Sequence, residues 1–292
     1  MKARAKWLEE RKSGLGGSDA AAAIGVDPYR DPLALWGEKV GLIEADDLSA
    51  NEVVESGNAL EKAIGEWYGK KSGRKVKAGK PFTILRHAEL PWMFASLDAT
   101  QVVDGERSVV QIKNTSFDAD AWEEALPAHY EVQLAHEMIV AGVTHGSLVA
   151  LHRGQRLRVY DRKLDPDFAS MLVKAEREFW ENVTSQTAPA PGPNSAEAVK
   201  SLFPRAEISD IIALPPEADD LDAELQSLKE QMKALGARAE EIESQIKYWI
   251  GSREGGMTQQ GIRFNWKGSV SHYEAKEARD VYVRRFTRSK GK

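Results

Sequence analysis

Asp98, Gln111 and Lys113 are the residues whose types and spacing best fit a chemical site in this chain. Side chains two apart on a strand leave the same face. Gln111 and Lys113 therefore project together from Val109-Val110-Gln111-Ile112-Lys113, with Asp98 beside them if the segment through Ser96-Leu97-Asp98 pairs with that strand. A carboxylate so placed suits a hard divalent cation, Mg²⁺ or Mn²⁺, which takes oxygen ligands and keeps several waters. The Gln111 carbonyl and the backbone carbonyl of Ile112 are further candidate ligands. Lys113 would orient and help deprotonate an attacking water, or neutralise charge developing on a phosphate. Glu61, in Gly57-Asn58-Ala59-Leu60-Glu61 on an upstream helix, is a second acidic ligand or a holder of metal-bound water.

Two other groups suit an anion. Arg11 and Ser18 flank the glycine turn Gly14-Leu15-Gly16-Gly17, where free backbone N–H groups, a hydroxyl and a guanidinium could meet a phosphate. Gln133 and His136 lie three residues apart on one helix and are candidates for a phosphate or a metal ligand. The turn is not a Walker loop, since no Gly-Lys-Ser/Thr follows it. The six histidines lack zinc-protease spacing, and no Gly-x-Ser-x-Gly elbow is present.

The elements that must position these residues can be read from periodicity. Helices are expected over Trp7–Lys12, Ala20–Ile24 (capped by Ser18-Asp19), Pro32–Val40, Glu55–Ser72, Pro127–Ala141 and Asp165–Val183. Strands are expected over Pro81–Leu85, Met93–Val103, Ser108–Lys113, Gly146–Leu151 and Arg156–Arg162, with Asp104-Gly105 a hairpin turn. A mixed α/β unit thus spans 1–188, followed by a Pro-rich linker over 189–216. Leu221, Leu225, Leu228, Met232, Leu235, Ala239, Ile242, Ile246 and Trp249 alternate four and three apart, the seam of a coiled-coil helix over 217–251. The remainder, 252–292, reads as a small β-hairpin (Thr258–Trp266 with Val270–Tyr273) and a basic tail containing Arg279, Arg284, Arg285 and Arg288.

With 292 residues, 42% hydrophobic and 29% charged, the chain has enough material for one or two packed domains. It contains no cysteine, which excludes disulfides and thiolate metal sites and fits a reducing cytoplasm. No apolar run approaches the roughly 18 residues of a membrane span, and the opening residues carry no apolar signal core. The net charge of −5 confines any nucleic-acid surface to a local patch.

Taken in order, the motifs resemble the YqaJ-like viral recombinase family, relatives of phage lambda exonuclease among the PD-(D/E)XK nucleases. Arg11-x-x-Gly14-x-Gly16-Gly17-Ser18-Asp19-Ala20 with Gly25-Val26-Asp27-Pro28-Tyr29 is similar to its opening motif, and Gly57-x-x-Leu60-Glu61 to its acidic helix. Ala95-Ser96-x-Asp98 and Gln111-Ile112-Lys113-Asn114-Thr115 are similar to its catalytic core, and Tyr130-x-x-Gln133-x-x-His136-x-Met138 to its last motif. The resemblance implies a restriction-endonuclease-like fold, with a central mixed β-sheet flanked by helices. It implies a metal-dependent exonuclease that digests linear double-stranded DNA from 5′ ends and leaves 3′ single strands for phage-type recombination. Its partners would be DNA ends, a single-strand annealing protein and copies of itself, a trimer among the options, within a bacterial host. By the same carry-over Asp98, Gln111, Ile112 and Glu61 hold the metal, Lys113 is the catalytic lysine, and Arg11, Ser18, Ser96, Gln133 and His136 contact phosphates.

This chain departs from that pattern twice: Gln111 stands where the family usually has glutamate, and Ala135 where it often has a second glutamine. A glutamine carbonyl ligates Mg²⁺ without contributing charge, so metal affinity and water activation should weaken. Two other readings stay open. One is a catalytically weakened or inactive DNA-end-binding protein on the same fold. The other is an assembly protein whose working part is the coiled coil.

Overall fold

Period-two alternation along two neighbouring segments builds the centre of the molecule. In the computed structural model, which describes residues 2–45, 51–116, 122, 125–206 and 211–268, the chain forms two compact units that divide after Pro204. In the first unit the order is α1 (Lys2–Arg11), α2 (Gly17–Ala23), α3 (Pro32–Lys39), α4 (Glu52–Ser72), β1 (Lys77–Ala78), β2 (Leu85–Arg86), β3 (Phe94–Ala95), β4 (Ala99–Val103), β5 (Glu106–Thr115), α5 (Ala128–Ala141), β6 (His145–His152), β7 (Arg156–Lys163), α6 (Pro166–Thr184) and α7 (Ala196–Leu202). Five strands make one mixed sheet in the order β1-β4-β5-β6-β7. Only β5 and β6 run parallel, joined across one face by α5; the other pairings are antiparallel.

Val109, Leu148 and Ala150 face α5 and α2, packing with Leu134, Met138 and Ala20. Val110, Ile112, Val149 and Leu151 face α4, packing with Ile64 and Tyr68. Residues 146–152 of β6 are all buried, as expected of a strand with both faces covered. Gln111 and Lys113 share the parity of Val109, which places them on the α5 face.

The hairpin at Asp104-Gly105 forms as expected, with φ of +53° and +86°, the conformation that matches strand twist in a two-residue turn. The segment read as one strand, Met93–Val103, is instead broken at residues 96–98. Its first part pairs with β2, its second with β1 and β5. At the break the backbone of Asp98 is clasped by Gly79, whose N–H donates to the Asp98 carbonyl at 2.7 Å. A Cβ on Gly79 would lie 1.9 Å from the Leu97 carbonyl oxygen, so only glycine lets β1 approach Asp98 this closely.

Other differences are local. Helix α2 begins at Gly17, not Ala20, with Gly16 as its N-cap; the Asp19 carboxylate accepts the Gly16 N–H at 3.1 Å. Within the segment read as linker, Ala196–Leu202 forms α7, buries Ala198 against α3 and α6, and sends the Ser195 hydroxyl to the Asp31 carboxylate. The first unit therefore runs past 188.

In the second unit α8 (Glu217–Ile250) is a helix of 34 residues. Its heptad residues Leu221, Leu228, Met232, Leu235, Ile242 and Trp249 are exposed within the chain. The hairpin that follows pairs β8 (Gly255–Met257) with β9 (Arg263–Asn265), earlier than expected, because Gly255 and Gly256 themselves join the ladder. Val270–Tyr273 and the basic tail lie outside the described residues. Among the described residues no helix is long and apolar enough to cross a membrane.

Candidate metal-dependent nuclease site

The ladder between β4 and β5 stops at Ala99 opposite Val110, and Asp98 takes over where it stops. Its Oδ2 accepts the Ile112 N–H at 2.8 Å, so a carboxylate occupies the sheet edge that a further strand residue would have filled. A residue's N–H and C=O leave the same edge of an extended strand, which opens the Ile112 carbonyl to the same edge. Lys113 comes from the α5 face and donates to Gln133 Oε1 at 3.0 Å, its ammonium also 4.9 Å from the centre of the Tyr130 ring. Glu61 approaches from α4. With Gly65, Asp98, Ala99 and Ile112 it lines a cleft of about 130 Å³, room for a few waters. A larger hollow of about 490 Å³, bordered by Ile139, Val173, Lys174 and Arg177, contains no carboxylate and lies apart from these groups.

The electrostatics are those of crowded carboxyl groups short of positive charge. Burial raises the pKa of Asp98 against the pull of Lys113 and the Ile112 N–H. Burial and Asp98 together push Glu61 up to about 7. A residue that sequence reasoning missed, Glu137, is pushed up to about 8 by burial and by Asp98, against Gln133 and Lys113. Its carboxylate is almost fully buried and accepts from Gln133 Nε2 at 2.9 Å. The four-residue spacing Gln133-x-x-x-Glu137 was the signal that could have revealed it.

With that geometry in hand, comparison with known proteins is direct. A YqaJ-like viral recombinase domain matches residues 6–144. The uncharacterized protein YqaJ of Bacillus subtilis (strain 168) is 31% identical over 287 residues, spanning 96% of this chain and 88% of that protein. The chain belongs to the YqaJ-like viral recombinase family. An alkaline exonuclease of Laribacter hongkongensis, LHK-Exo, is similar in structure at a TM-score of 0.50, with 14% identity over 62% of this chain and 93% of that one. The same exonuclease in complex with dAMP matches equally. At that identity the likeness is one of fold.

The donors of this YqaJ-like site suit a hard cation in kind. Asp98, Glu61 and the Ile112 carbonyl all offer oxygen. Gln111, the fourth expected ligand, is fully buried, and neither atom of its amide has a hydrogen-bond partner. Buried amides are nearly always satisfied, so the bare Gln111 carbonyl fits a cation ligand in kind. Among the described residues no three histidine, aspartate or glutamate side chains are already gathered at metal-holding distance. Gln111 and the backbone carbonyl must therefore complete any such set.

The expected phosphate contacts separate. Arg11 and Ser18 meet, the guanidinium donating to the Ser18 hydroxyl at 2.7 Å, and Arg11 also stacks 4.8 Å from the Trp7 ring. Trp7 Nε1 in turn donates to the Ser96 hydroxyl at 3.0 Å, tying Ser96 to the same corner. What holds this corner is Asp19, read from sequence as a cap. It pairs with Lys39 and Arg30, each at 2.8 Å, and with Arg11 at 3.7 Å. Burial opposes its charge, but the three cations outweigh burial and hold its pKa far below the usual carboxylate range.

Gln133 joins the group around Asp98, bridging Lys113 and Glu137. His136 is corrected outright. It is 0% exposed, its Nδ1 lies 2.9 Å from the Glu176 carboxylate and its Nε2 2.9 Å from the Phe94 carbonyl. A ring with both nitrogens engaged and no exposure cannot touch DNA. Ala135 packs in the apolar core between α5 and the sheet, so a glutamine there would need new buried partners.

These shifts set a pH dependence. A carboxyl group raised from 4.5 to about 8, as at Glu137, keeps its proton in the folded state after the unfolded chain has lost it. Folding is then unpenalised below about 4.5 and loses stability as pH rises through the window to about 8. Glu61, screened by solvent, contributes less to the loss, which for it ends near pH 7. The expected result, by thermal melting in chelator, is a stability loss on the order of a few kcal/mol between pH 5 and 8. His136, with a raised pKa, acts in the same sense, so the control is Glu137→Gln, which should flatten the slope. An unchanged slope in that variant would contradict the assignment.

Proposed function

We propose that this protein is a Mg²⁺- or Mn²⁺-dependent exonuclease that digests linear double-stranded DNA from 5′ ends and leaves 3′ single strands. The observation that carries the reading is the Asp98–Ile112 bond at the broken strand, which holds a half-buried carboxylate against the strand that carries Gln111 and Lys113. Membership of a viral recombinase family and the fold shared with an alkaline exonuclease support it.

When bound, the cation would be held by Asp98, Gln111, Ile112 and Glu61, and would polarise the phosphate and acidify a water. The residues of the chain do the rest. Lys113, held by Gln133 and Tyr130, presents a positive charge where negative charge develops on the phosphate. Glu61, raised to about 7, would accept the proton of the attacking water in its ionised form. The Arg11, Arg30 and Lys39 cluster, kept in place by Asp19, receives the terminal phosphate.

The test is incubation of the full chain with linear duplex DNA labelled at the 5′ or 3′ end, in Mg²⁺, Mn²⁺ or chelator. Early loss of the 5′ label with survival of 3′ single strands is expected, and no loss in chelator. Tight binding of ends without cleavage under either metal would favour the non-catalytic end-binding reading, to which Gln111 lends support.

A further inference from the structure

We propose that Glu137, on helix α5, supplies the carboxylate that position 111 lacks and holds the divalent cation together with Asp98 and the Gln111 carbonyl. This rests on the metal-dependent nuclease reading and names a ligand that the family motifs do not contain.

Helix α5 is the crossover between the parallel strands β5 and β6, so it runs against them. One rung of this arrangement is fixed by the 3.0 Å bond from Lys113 Nζ to Gln133 Oε1. Four residues further along the helix is about 6 Å. Two residues back along the strand is roughly 6.6 Å. Glu137 thus comes level with Gln111, on the same side of the sheet.

The atoms at that level are incomplete in a matching way. Glu137 is 2% exposed, and its Oε1 is used: it accepts from Gln133 Nε2, and a Cβ on Gly17 would lie 2.9 Å from it. Its Oε2 has no partner, and neither atom of the buried Gln111 amide has one. Two buried side chains at one level of the sheet, with three bare polar atoms between them, are costly unless something satisfies those atoms. A hard cation bonded to Glu137 Oε2 and Gln111 Oε1 would satisfy both oxygens. It would also restore to the site the negative charge lost by having glutamine on the strand. The carboxylate has in effect moved from β5 to the facing helix.

The experiment is titration of the full chain with Mn²⁺ alone, read as loss of the free-ion resonance signal. The proteins are the wild type, Glu137→Gln, Gln111→Glu and the double variant. Wild type should bind. Glu137→Gln should bind roughly tenfold or more weakly, because a charged donor is lost. The double variant, which returns the carboxylate to the strand, should recover to within about threefold of wild type. Wild-type binding left unchanged by Glu137→Gln would overturn the assignment of Glu137 and leave the nuclease reading standing. A double variant as weak as Glu137→Gln would also overturn it, as would binding by Gln111→Glu alone. No binding by either wild type or Gln111→Glu would overturn both readings. Melting in chelator checks that each variant folds. If Glu137→Gln does not, Glu137→Asp keeps the charge on a shorter arm and should bind more weakly than wild type.

Discussion

Lys113→Ala should cut DNA digestion by at least about a hundredfold while leaving Mn²⁺ binding intact or stronger. The lysine is not a metal ligand. Its ammonium lies where Gln133 and the Tyr130 ring hold it, on the strand face shared with Gln111. Its charge helps every carboxyl group of the site to ionise: it pulls down the pKa of Asp98, of Glu61 and of Glu137. Removing it therefore leaves a more negative pocket, which favours a cation, but strips the transition state of its nearest fixed positive charge. Because the side chain is only half-buried, melting temperature should move little. Digestion at the wild-type rate by Lys113→Ala, or loss of Mn²⁺ binding, would contradict the role assigned to it.

Glu176→Ala should destabilise the first unit by about 3 kcal/mol or more, a fall in melting temperature on the order of 10 °C. Glu176 and His136 are both 0% exposed. Burial opposes charge on the imidazole, but Glu176 beside it and the Phe94 carbonyl outweigh burial and raise its pKa. Deleting the carboxylate leaves the buried imidazole without its ion-pair partner, while His136→Ala leaves the buried Glu176 carboxylate without its own. The pair ties α5 to α6 and, through Phe94, to the segment leading into Asp98. The same logic separates this role from DNA contact. His136→Ala should lower stability without changing the salt dependence of DNA affinity, whereas loss of a phosphate contact would reduce that slope by about one.

Much of this was legible in the sequence because the signals were local. Alternation placed Gln111 and Lys113 on one face, Asp104-Gly105 turned the hairpin, and the order of short motifs brought Asp98 and Glu61 to the same strand end. Burial and crossing elements were not legible. Spacing alone put His136 beside Gln133, yet on α5 the four-residue neighbour Glu137 joins Gln133 while His136 turns into the core. Apolar residues on both sides, Met93-Phe94-Ala95 and Val102-Val103, hid the break at 96–98, where the Asp98 side chain replaces a ladder bond. The proline run before Gly192 masked α7, although Ser195 and the small Ala198 were the signs of a short docked helix. Asp19 carried a capping signature, and only the fold shows Arg30 and Lys39 converging on it.

The most direct test is anomalous scattering from a crystal of the full chain soaked in Mn²⁺. The account predicts a peak within ligand distance of the Asp98 carboxylate and the Ile112 carbonyl, with Lys113 outside the coordination sphere. A well-ordered site with no peak there, or a peak only at remote surface carboxylates, would contradict it.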